Sequence, residues 1–164
     1  MARGGTERVP LRRGGKATTV EVSIPKAVAD GAKLRVAGSK SDPDLILTIR
    51  VGKHPVFRRV APLDLELDLP LTIAEATLGR EVAVPTLGGL VDVTIPAGTG
   101  SGKRLRLRGR GLSDEKGATG DLYAIVQIVT PPADALEDAD RDALERLGAL
   151  GVTPRSGSLW TSTS

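Results

Sequence analysis

The sequence predicts an all-β protein in which two tandem small β-sandwich domains are followed by a C-terminal helix. The first reason is an internal repeat: residues 20–25 return, with conservative changes, at residues 91–96, a distance of 71 residues. The second is the alternation of apolar and polar residues over short runs, which is typical of half-buried strands. The third is that glycine and proline, the main turn residues, separate these runs. A tandem repeat of short strands favours a modular β fold.

The alternating runs predict eight strands, at residues 18–24, 33–36, 45–51, 63–69, 80–84, 90–95, 104–107 and 122–129. A short helix is predicted over residues 71–79. Thr72 would be its N-cap, Glu75 would complete a capping box, and Gly79 would end the helix.

A longer helix is predicted over residues 134–150, directly after a pair of prolines. Its apolar residues recur at spacings of three and four and would form one stripe. They are Leu136, Ala139, Ala143, Leu144, Leu147 and Leu150. Such a stripe packs either on its own domain or against the same helix of a second chain, and the residues alone leave both open.

The repeat divides the 164 residues into four parts. These are a first β-domain (1–59), a second β-domain (60–132), the C-terminal helix (133–150) and a tail (151–164). The tail is rich in serine and threonine, has no periodicity and is expected to be disordered. Since the chain holds only one Phe, one Tyr and one Trp, valine, leucine and isoleucine must form the cores.

The composition argues against a metal site, a cofactor and a membrane span. The chain has no cysteine and a single histidine, so no zinc-ligand spacing exists. No run approaches the ~20 apolar residues that span a bilayer, and the basic N-terminus is not followed by an apolar signal segment. We therefore expect a cytoplasmic protein with no metal and no cofactor.

No enzyme motif is found. The segment Gly98–Lys103 is rich in glycine, but no Gly-Lys-Ser/Thr opens a helix there, so a phosphate-binding loop is not predicted. No serine lies in a nucleophile-elbow motif. The lone histidine, His54, is interpreted as part of a structural linker between the repeats. The sequence predicts a protein that binds and does not catalyse.

Charge is distributed unevenly along the chain. Residues 1–59 hold 13 Lys/Arg against 5 Asp/Glu, whereas residues 60–164 hold 10 against 15. Arg104, Arg106 and Arg108 alternate with apolar residues and would lie on one strand face. A row of guanidinium groups like this one either binds phosphates or an acidic partner, or is the solvated face of a half-buried sheet. No aromatic residue is interleaved with it, so base stacking is not expected.

Several motifs, in order, resemble the C-terminal substrate-binding region of DnaJ-type co-chaperones. They are His-Pro-x-Phe-x-Arg at 54–59, Val-x-Ile-Pro with its glycines and Leu-Arg-Leu at 93–107, and Gly-Asp-Leu-Tyr at 120–123. The resemblance covers about residues 4–150 and is nearest to the zinc-free, curved-DNA-binding kind. It implies two tandem β-sandwich domains and a helix that dimerises the chain into a clamp for unfolded polypeptide. Leu136, Ala143, Leu144, Leu147 and Leu150 would form that homodimer contact.

The same resemblance implies a peptide-binding groove in the first domain. An extended apolar segment would add a strand beside an exposed edge, held by backbone hydrogen bonds and by apolar pockets. By position, Val9 and Leu11 match the strand beside the groove and Phe57 matches an aromatic lining its pocket. Leu34 and Val36 are further candidates. For each residue, ordinary core packing is the alternative.

Two departures from the family pattern affect the expected function. The J-domain and the Cys-rich zinc module are not in the sequence, so J-domain stimulation of a DnaK-type ATPase is not expected, although a DnaK-type chaperone is a candidate partner. The strand predicted at 63–69 has no counterpart before the first repeat, so the chain is expected to be a C-terminal piece. Its groove would then be incomplete, or its edge unusually exposed.

Taken together, the residues and the resemblance predict non-enzymatic, chaperone-type binding of exposed apolar segments of unfolded polypeptides. The alternative is a DNA-binding protein of the curved-DNA-binding kind, in which the basic first half and the arginine row contact phosphates. That binding would weaken steeply with salt.

Overall fold

The computed structural model describes residues 4–13, 16–36 and 44–150, without the side chains of residues 11–18. The predicted disordered tail, 151–164, lies outside the described residues. These described residues form ten strands and two helices, which confirms an all-β fold followed by a C-terminal helix. By its contacts, the chain divides into two compact units, Met1–Val129 and Thr130–Ser164. The boundary between the two β-domains at 59 and 60 stays a prediction.

The N-terminal β region (residues 5–51) holds two separate antiparallel strand pairs. Strands β1 (Gly5–Arg13) and β2 (Lys16–Ile24) pair over nine positions. Strands β3 (Lys33–Val36) and β4 (Leu45–Thr48) pair from Lys33 opposite Thr48 to Val36 opposite Leu45. Each pair forms a two-stranded sheet of its own.

The C-terminal β region (residues 58–129) contains a four-stranded sheet and a hairpin. The bounds are β5 (Arg58–Arg59), β6 (Leu65–Thr72), α1 (Ile73–Leu78), β7 (Arg80–Thr86), β8 (Gly89–Ile95), β9 (Arg104–Leu107) and β10 (Leu122–Val129). The sheet order is β5-β6-β10-β9, and β7 pairs with β8. Strands β6 and β10 run parallel, whereas the other pairs are antiparallel.

The two β regions share a detailed backbone pattern at the end of a strand pair. In the first, Gly31 N donates to Ile49 O at 2.8 Å and Ile49 N donates to Ala32 O at 2.8 Å. In the second, Gly102 N donates to Val126 O at 2.7 Å and Val126 N donates to Lys103 O at 2.9 Å. The pairs β3–β4 and β9–β10 are therefore equivalent in register, with offsets of 71 residues on one strand and 77 on the other.

The main hydrophobic core lies in the C-terminal β region. Strand β6 alternates strictly, so its four leucines point to one side, and all four are at most 5% exposed. They pack against Leu122, Ala124 and Val126 of β10, each 0% exposed. In the N-terminal β region, only Val22 and Val28 are buried among the residues whose burial is described. The two regions thus differ greatly in how well their apolar residues are covered.

The short helix α1 has the caps that the sequence predicts. Thr72 Oγ1 accepts a hydrogen bond from Glu75 N at 3.2 Å, and the Glu75 carboxylate accepts one from Thr72 N at 2.8 Å. These bonds satisfy donors that a helix start leaves unpaired. Gly79 ends the helix at φ 75°, and a Cβ there would lie 2.8 Å from the backbone of Ile95 and Ala97. Only glycine fits that position without strain.

The C-terminal helix is shorter than predicted. A 3₁₀ turn spans Ala133–Ala135, and helix α2 spans Asp138–Gly148 instead of 134–150. The break arises at Leu136, whose backbone is extended, and at Glu137, which forms a capping box with Asp140. The local carboxylates therefore start the helix four residues later than the prolines suggest.

Candidate binding surfaces

Strand β1 carries two of the predicted peptide-binding residues, Val9 and Leu11. Val9 is half-buried and lies opposite Val20 on β2, so the pair presents an apolar patch on one face. The opposite face is polar and holds the ion pair between Arg8 and Glu21, at 2.9 Å. The backbone of Leu11 continues the strand opposite Thr18, but its side chain lies outside the described part of the structure. Val9, Val20 and the buried Val22 therefore lie on one face of this sheet.

Leu34 and Val36 lie on a different sheet. Both are half-buried, and they lie opposite Leu47 and Leu45 of β4. The four side chains form one apolar layer, because alternate residues of a strand share a face. The structure thus brings Leu34 and Val36 together, but in a separate two-stranded sheet from Val9 and Leu11.

Phe57 lies in the linker between the two β regions. Its ring is half-buried, packs against the main core cluster and lies 5.0 Å from the His54 ring. His54 Nδ1 accepts hydrogen bonds from the backbone N–H groups of Val56 and Phe57, at 3.1 and 3.2 Å. The histidine therefore folds the linker and orients Phe57, in agreement with a structural role.

Arg59 joins the two β regions, a role that little in the sequence indicates. Its guanidinium donates to Val28 O and Ala27 O at 2.9 Å each, and also to Pro62 O. Three carbonyls on one guanidinium hold the loop after β2 to the start of the second sheet. The signal in the sequence is the motif His-Pro-x-Phe-x-Arg, which Arg59 completes.

The arginine row of β9 is largely paired within its own sheet. Arg104 lies 2.7 Å from the Glu66 carboxylate and 3.8 Å above the Tyr123 ring centroid. Arg106 donates to Asp121 Oδ2 at 2.6 Å. Arg108 follows the end of the strand. The pairing of Arg104 and Arg106 favours the solvated sheet face over a ready phosphate site, because a phosphate would have to compete with carboxylates.

Asp121 organises the end of this row. Its Oδ1 accepts from Gly109 N at 2.7 Å, and Arg106 binds the other oxygen. The Gly109 hydrogen bond first, and the Arg106 guanidinium next, lower the pKa of the Asp121 carboxyl. The hydrogen bond between Arg106 and Asp121 raises the pKa of the Arg106 guanidinium. In the N-terminal β region, Arg35 and Asp44 form the corresponding ion pair, so the arrangement is structural and recurs.

The predicted dimer contacts lie in the C-terminal unit. Leu136 precedes α2, Ala143 and Leu144 are half-buried, and Leu147 and Leu150 are 51% and 72% exposed. No residue of α2 is buried. The apolar stripe is therefore only partly covered by the chain itself.

Within the described ranges, no group of three or more His, Asp or Glu side chains is arranged to hold a metal ion. None of the helices in that part of the chain is long and apolar enough to cross a membrane.

The comparisons with known proteins agree with this architecture. The family of the DnaJ C terminal domain matches residues 1–131, and the chain belongs to that family. A "Curved DNA-binding protein" of Pseudomonas putida is 42% identical over 135 residues, 78% of this chain and 42% of the relative. A "Chaperone protein DnaJ 2" of Nocardia farcinica is 41% identical over 150 residues, 85% of this chain and 38% of the relative. A "Chaperone protein DnaJ" of Neisseria meningitidis is 38% identical over 153 residues, 85% of this chain and 40% of the relative. The chain thus spans about two fifths of the length of these relatives.

Proposed function

We propose that this chain binds exposed apolar segments of non-native polypeptides, as a chaperone module that needs no nucleotide, metal or catalytic step. The observation that carries the proposal is the β1–β2 sheet, whose half-buried apolar face lies on a two-stranded sheet with no further described strand at its edges. Open edges bind extended chains through backbone hydrogen bonds, and apolar side chains add a preference for apolar residues. Membership of the DnaJ C-terminal family supports this function.

Within this proposal, Val9, Leu11 and Phe57 line the binding surface, with Leu34 and Val36 as additional contacts. Substitution of Val9 is the clearest test of this surface. A substitution of Phe57 would also disturb the main core, against which its ring packs. Burying one valine contributes about 1.5 kcal/mol, which is about tenfold in Kd.

The expected result for Val9→Ser is a clear loss of the ability to suppress aggregation of a chemically unfolded model protein. The matched control is Arg8→Gln, on the polar face of the same strand, which should leave suppression unchanged. Light scattering of the unfolded protein, diluted into each variant without nucleotide, measures the effect. Equal suppression by Val9→Ser and the original chain would contradict the proposed surface.

A second candidate function is binding to DNA phosphates. The excess of 13 Lys/Arg over 5 Asp/Glu in residues 1–59 favours it, as does the similarity to the "Curved DNA-binding protein" of Pseudomonas putida. Running the aggregation assay and a DNA-binding titration at low and high salt separates the two. Apolar binding persists at high salt, whereas phosphate binding falls steeply.

A DnaK-type chaperone is proposed as a further partner because of the DnaJ relatives, and a cytoplasmic location stays our expectation.

We also propose that α2 and the residues around it form a homodimer contact through Leu136, Ala143, Leu144, Leu147 and Leu150. The exposure of Leu147 and Leu150 supports this contact. Replacing Leu144 and Leu147 together by serine should convert a dimer to a monomer in sedimentation equilibrium, because the stripe loses its two central side chains. Glu145→Ser, on the neighbouring helix position, is the control. A monomeric original chain, or an unchanged mass for the double variant, would rule the contact out.

A further inference from the structure

The imidazole of His54 accepts hydrogen bonds from two backbone amides at once. Val56 N donates to His54 Nδ1 at 3.1 Å, and Phe57 N donates to the same nitrogen at 3.2 Å. An imidazole nitrogen accepts only through its lone pair, so Nδ1 is unprotonated and the ring proton lies on Nε2. The bend over residues 54–57 therefore has this form only while the imidazole is neutral.

Phe57 lies between this bend and a paired strand. On its C-terminal side the chain enters β5, which pairs with β6. On its N-terminal side the hydrogen bond to His54 holds the Phe57 backbone, and the two rings lie 5.0 Å apart with 36° between their planes. The Phe57 ring is half-buried and packs against the main core. Loss of the bend would therefore release Phe57 on one side and leave β5 in place.

The surroundings of His54 leave its protonation state to the solvent. The imidazole is exposed, and Lys53 lies directly before it, also exposed. The other cations of the linker are engaged elsewhere: Arg58 pairs with Asp68 at 2.6 Å, and Arg59 donates to three backbone carbonyls. Among the residues that the structure describes, no charged side chain forms an ion pair or a hydrogen bond with His54.

Protonation would reverse the hydrogen bonding of the bend. An imidazolium has an N–H donor on each nitrogen and no acceptor, so the two amides would face a third donor. Histidine side chains ordinarily titrate between about pH 5 and 8. His54 is the only histidine in the sequence, which has no cysteine. Hydrogen bonds lower the pKa of the Asp68, Glu75 and Asp121 carboxyl groups, away from that range.

We propose that His54 is a positioning residue that makes polypeptide binding depend on pH. The neutral imidazole holds Phe57 at the binding surface and the imidazolium releases it, so the chain binds apolar segments more weakly in acid. This inference rests on the proposed function, in which Phe57 lines that surface. It gives the histidine of the His-Pro-x-Phe-x-Arg motif a regulatory effect in addition to its structural role.

Two substitutions separate the hydrogen bonds from the charge. In His54→Asn, the side-chain Oδ1 is bonded to Cγ, as Nδ1 is in histidine, so it accepts from the same two amides and does not titrate. In His54→Ala, the acceptor is absent at every pH. Lys53→Gln is the matched control, because it removes a charge at the preceding exposed position and leaves the bend intact.

Fluorescence anisotropy measures the binding, with the full chain titrated into a rhodamine-labelled model protein that reduction and carboxymethylation keep unfolded. From about pH 8 to about pH 5.5, the Kd of the original chain should rise at least about fivefold, because the hydrogen bonds that orient Phe57 are lost. The Kd of His54→Asn should change by less than about twofold. His54→Ala should bind at both pH values as weakly as the original chain does in acid, and Lys53→Gln should follow the original chain. Dividing each Kd by that of His54→Asn at the same pH removes any effect of pH on the labelled protein.

Nuclear magnetic resonance observes the bend without a bound polypeptide. The chain has one histidine and one phenylalanine, so a nuclear Overhauser contact between these two kinds of ring comes only from His54 and Phe57. The contact should be present at about pH 8 and disappear as the imidazole titrates, and the amide resonances of Val56 and Phe57 should shift with it. In His54→Asn, both amide resonances should keep their positions over the same range.

Several results would overturn this role of His54. They are an imidazole that stays neutral down to about pH 5.5, a ring contact that survives protonation, and an equal pH dependence of the original chain and His54→Asn. Binding that is equally strong at both pH values would contradict the pH dependence and leave the proposed function standing. An original chain that binds the labelled protein at neither pH would contradict the proposed function as well, which distinguishes the two failures.

Discussion

Gly120→Ala is expected to destabilise the protein by about 3 kcal/mol or more. A Cβ at this position would lie 2.4 Å from the backbone of Leu63 and 2.6 Å from Asp64 Oδ1. The backbone there has no freedom to move aside. Gly120 N donates to Leu112 O at 3.0 Å, and Leu112 N donates to Leu63 O at 2.7 Å. The substitution must therefore break hydrogen bonds that position the start of β10.

Gly88→Ala provides the control for this effect. Gly88 lies in the turn between β7 and β8, and the nearest atom to an added Cβ is 3.8 Å away, an ordinary contact. The free energy of unfolding of the Gly88→Ala variant should differ from that of the original chain by less than about 0.5 kcal/mol. Urea unfolding followed by circular dichroism measures both variants, and similar stabilities for the two would contradict the tight approach at Gly120.

The second large effect is a difference between two equivalent leucines. Leu122→Ala should cost about 3 to 4 kcal/mol, because the side chain is fully buried and its removal leaves a cavity. Leu45→Ala, at the equivalent position of the N-terminal β region, should cost about 1 kcal/mol, because that side chain is only half-buried.

Urea unfolding of these two variants, with the unsubstituted chain as reference, compares the two cores directly. A free-energy loss of the same size for both would mean that the face of β3–β4 is covered in solution.

Much of the fold could be predicted from local sequence. Strands β3, β8 and β9 alternate apolar and polar residues clearly, and the Thr72–Glu75 capping box marks α1 without ambiguity. Strand β1 is harder, because Pro10 and its arginines interrupt the alternation. The start of α2 depends on the local pairing of Glu137 with Asp140, which a three-four apolar spacing does not reveal.

The candidate surfaces were less predictable, because they depend on which strands become neighbours. The alternation predicts that Leu34 and Val36 share one face, as they do in the structure. The alternation does not reveal that their sheet is separate from that of Val9. The alternation of Arg104 with leucine predicts a charged face, yet its carboxylate partner lies on β6, far away in the sequence. The hydrogen bonds from Arg59 to Val28 O and Ala27 O depend in the same way on a loop that lies more than thirty residues earlier in the sequence.

The parallel pairing of β6 with β10 also affects how the chain is made. Leu65 and Leu122 are direct neighbours in the sheet but 57 residues apart in sequence. At roughly 5 to 20 residues per second, a ribosome finishes β10 roughly 3 to 11 seconds after β6. During that interval the leucines of β6 have no covering strand, because parallel partners join only after the long loop between them is closed. While it is being synthesised, the chain thus exposes an apolar segment of the kind that we propose it binds in other proteins.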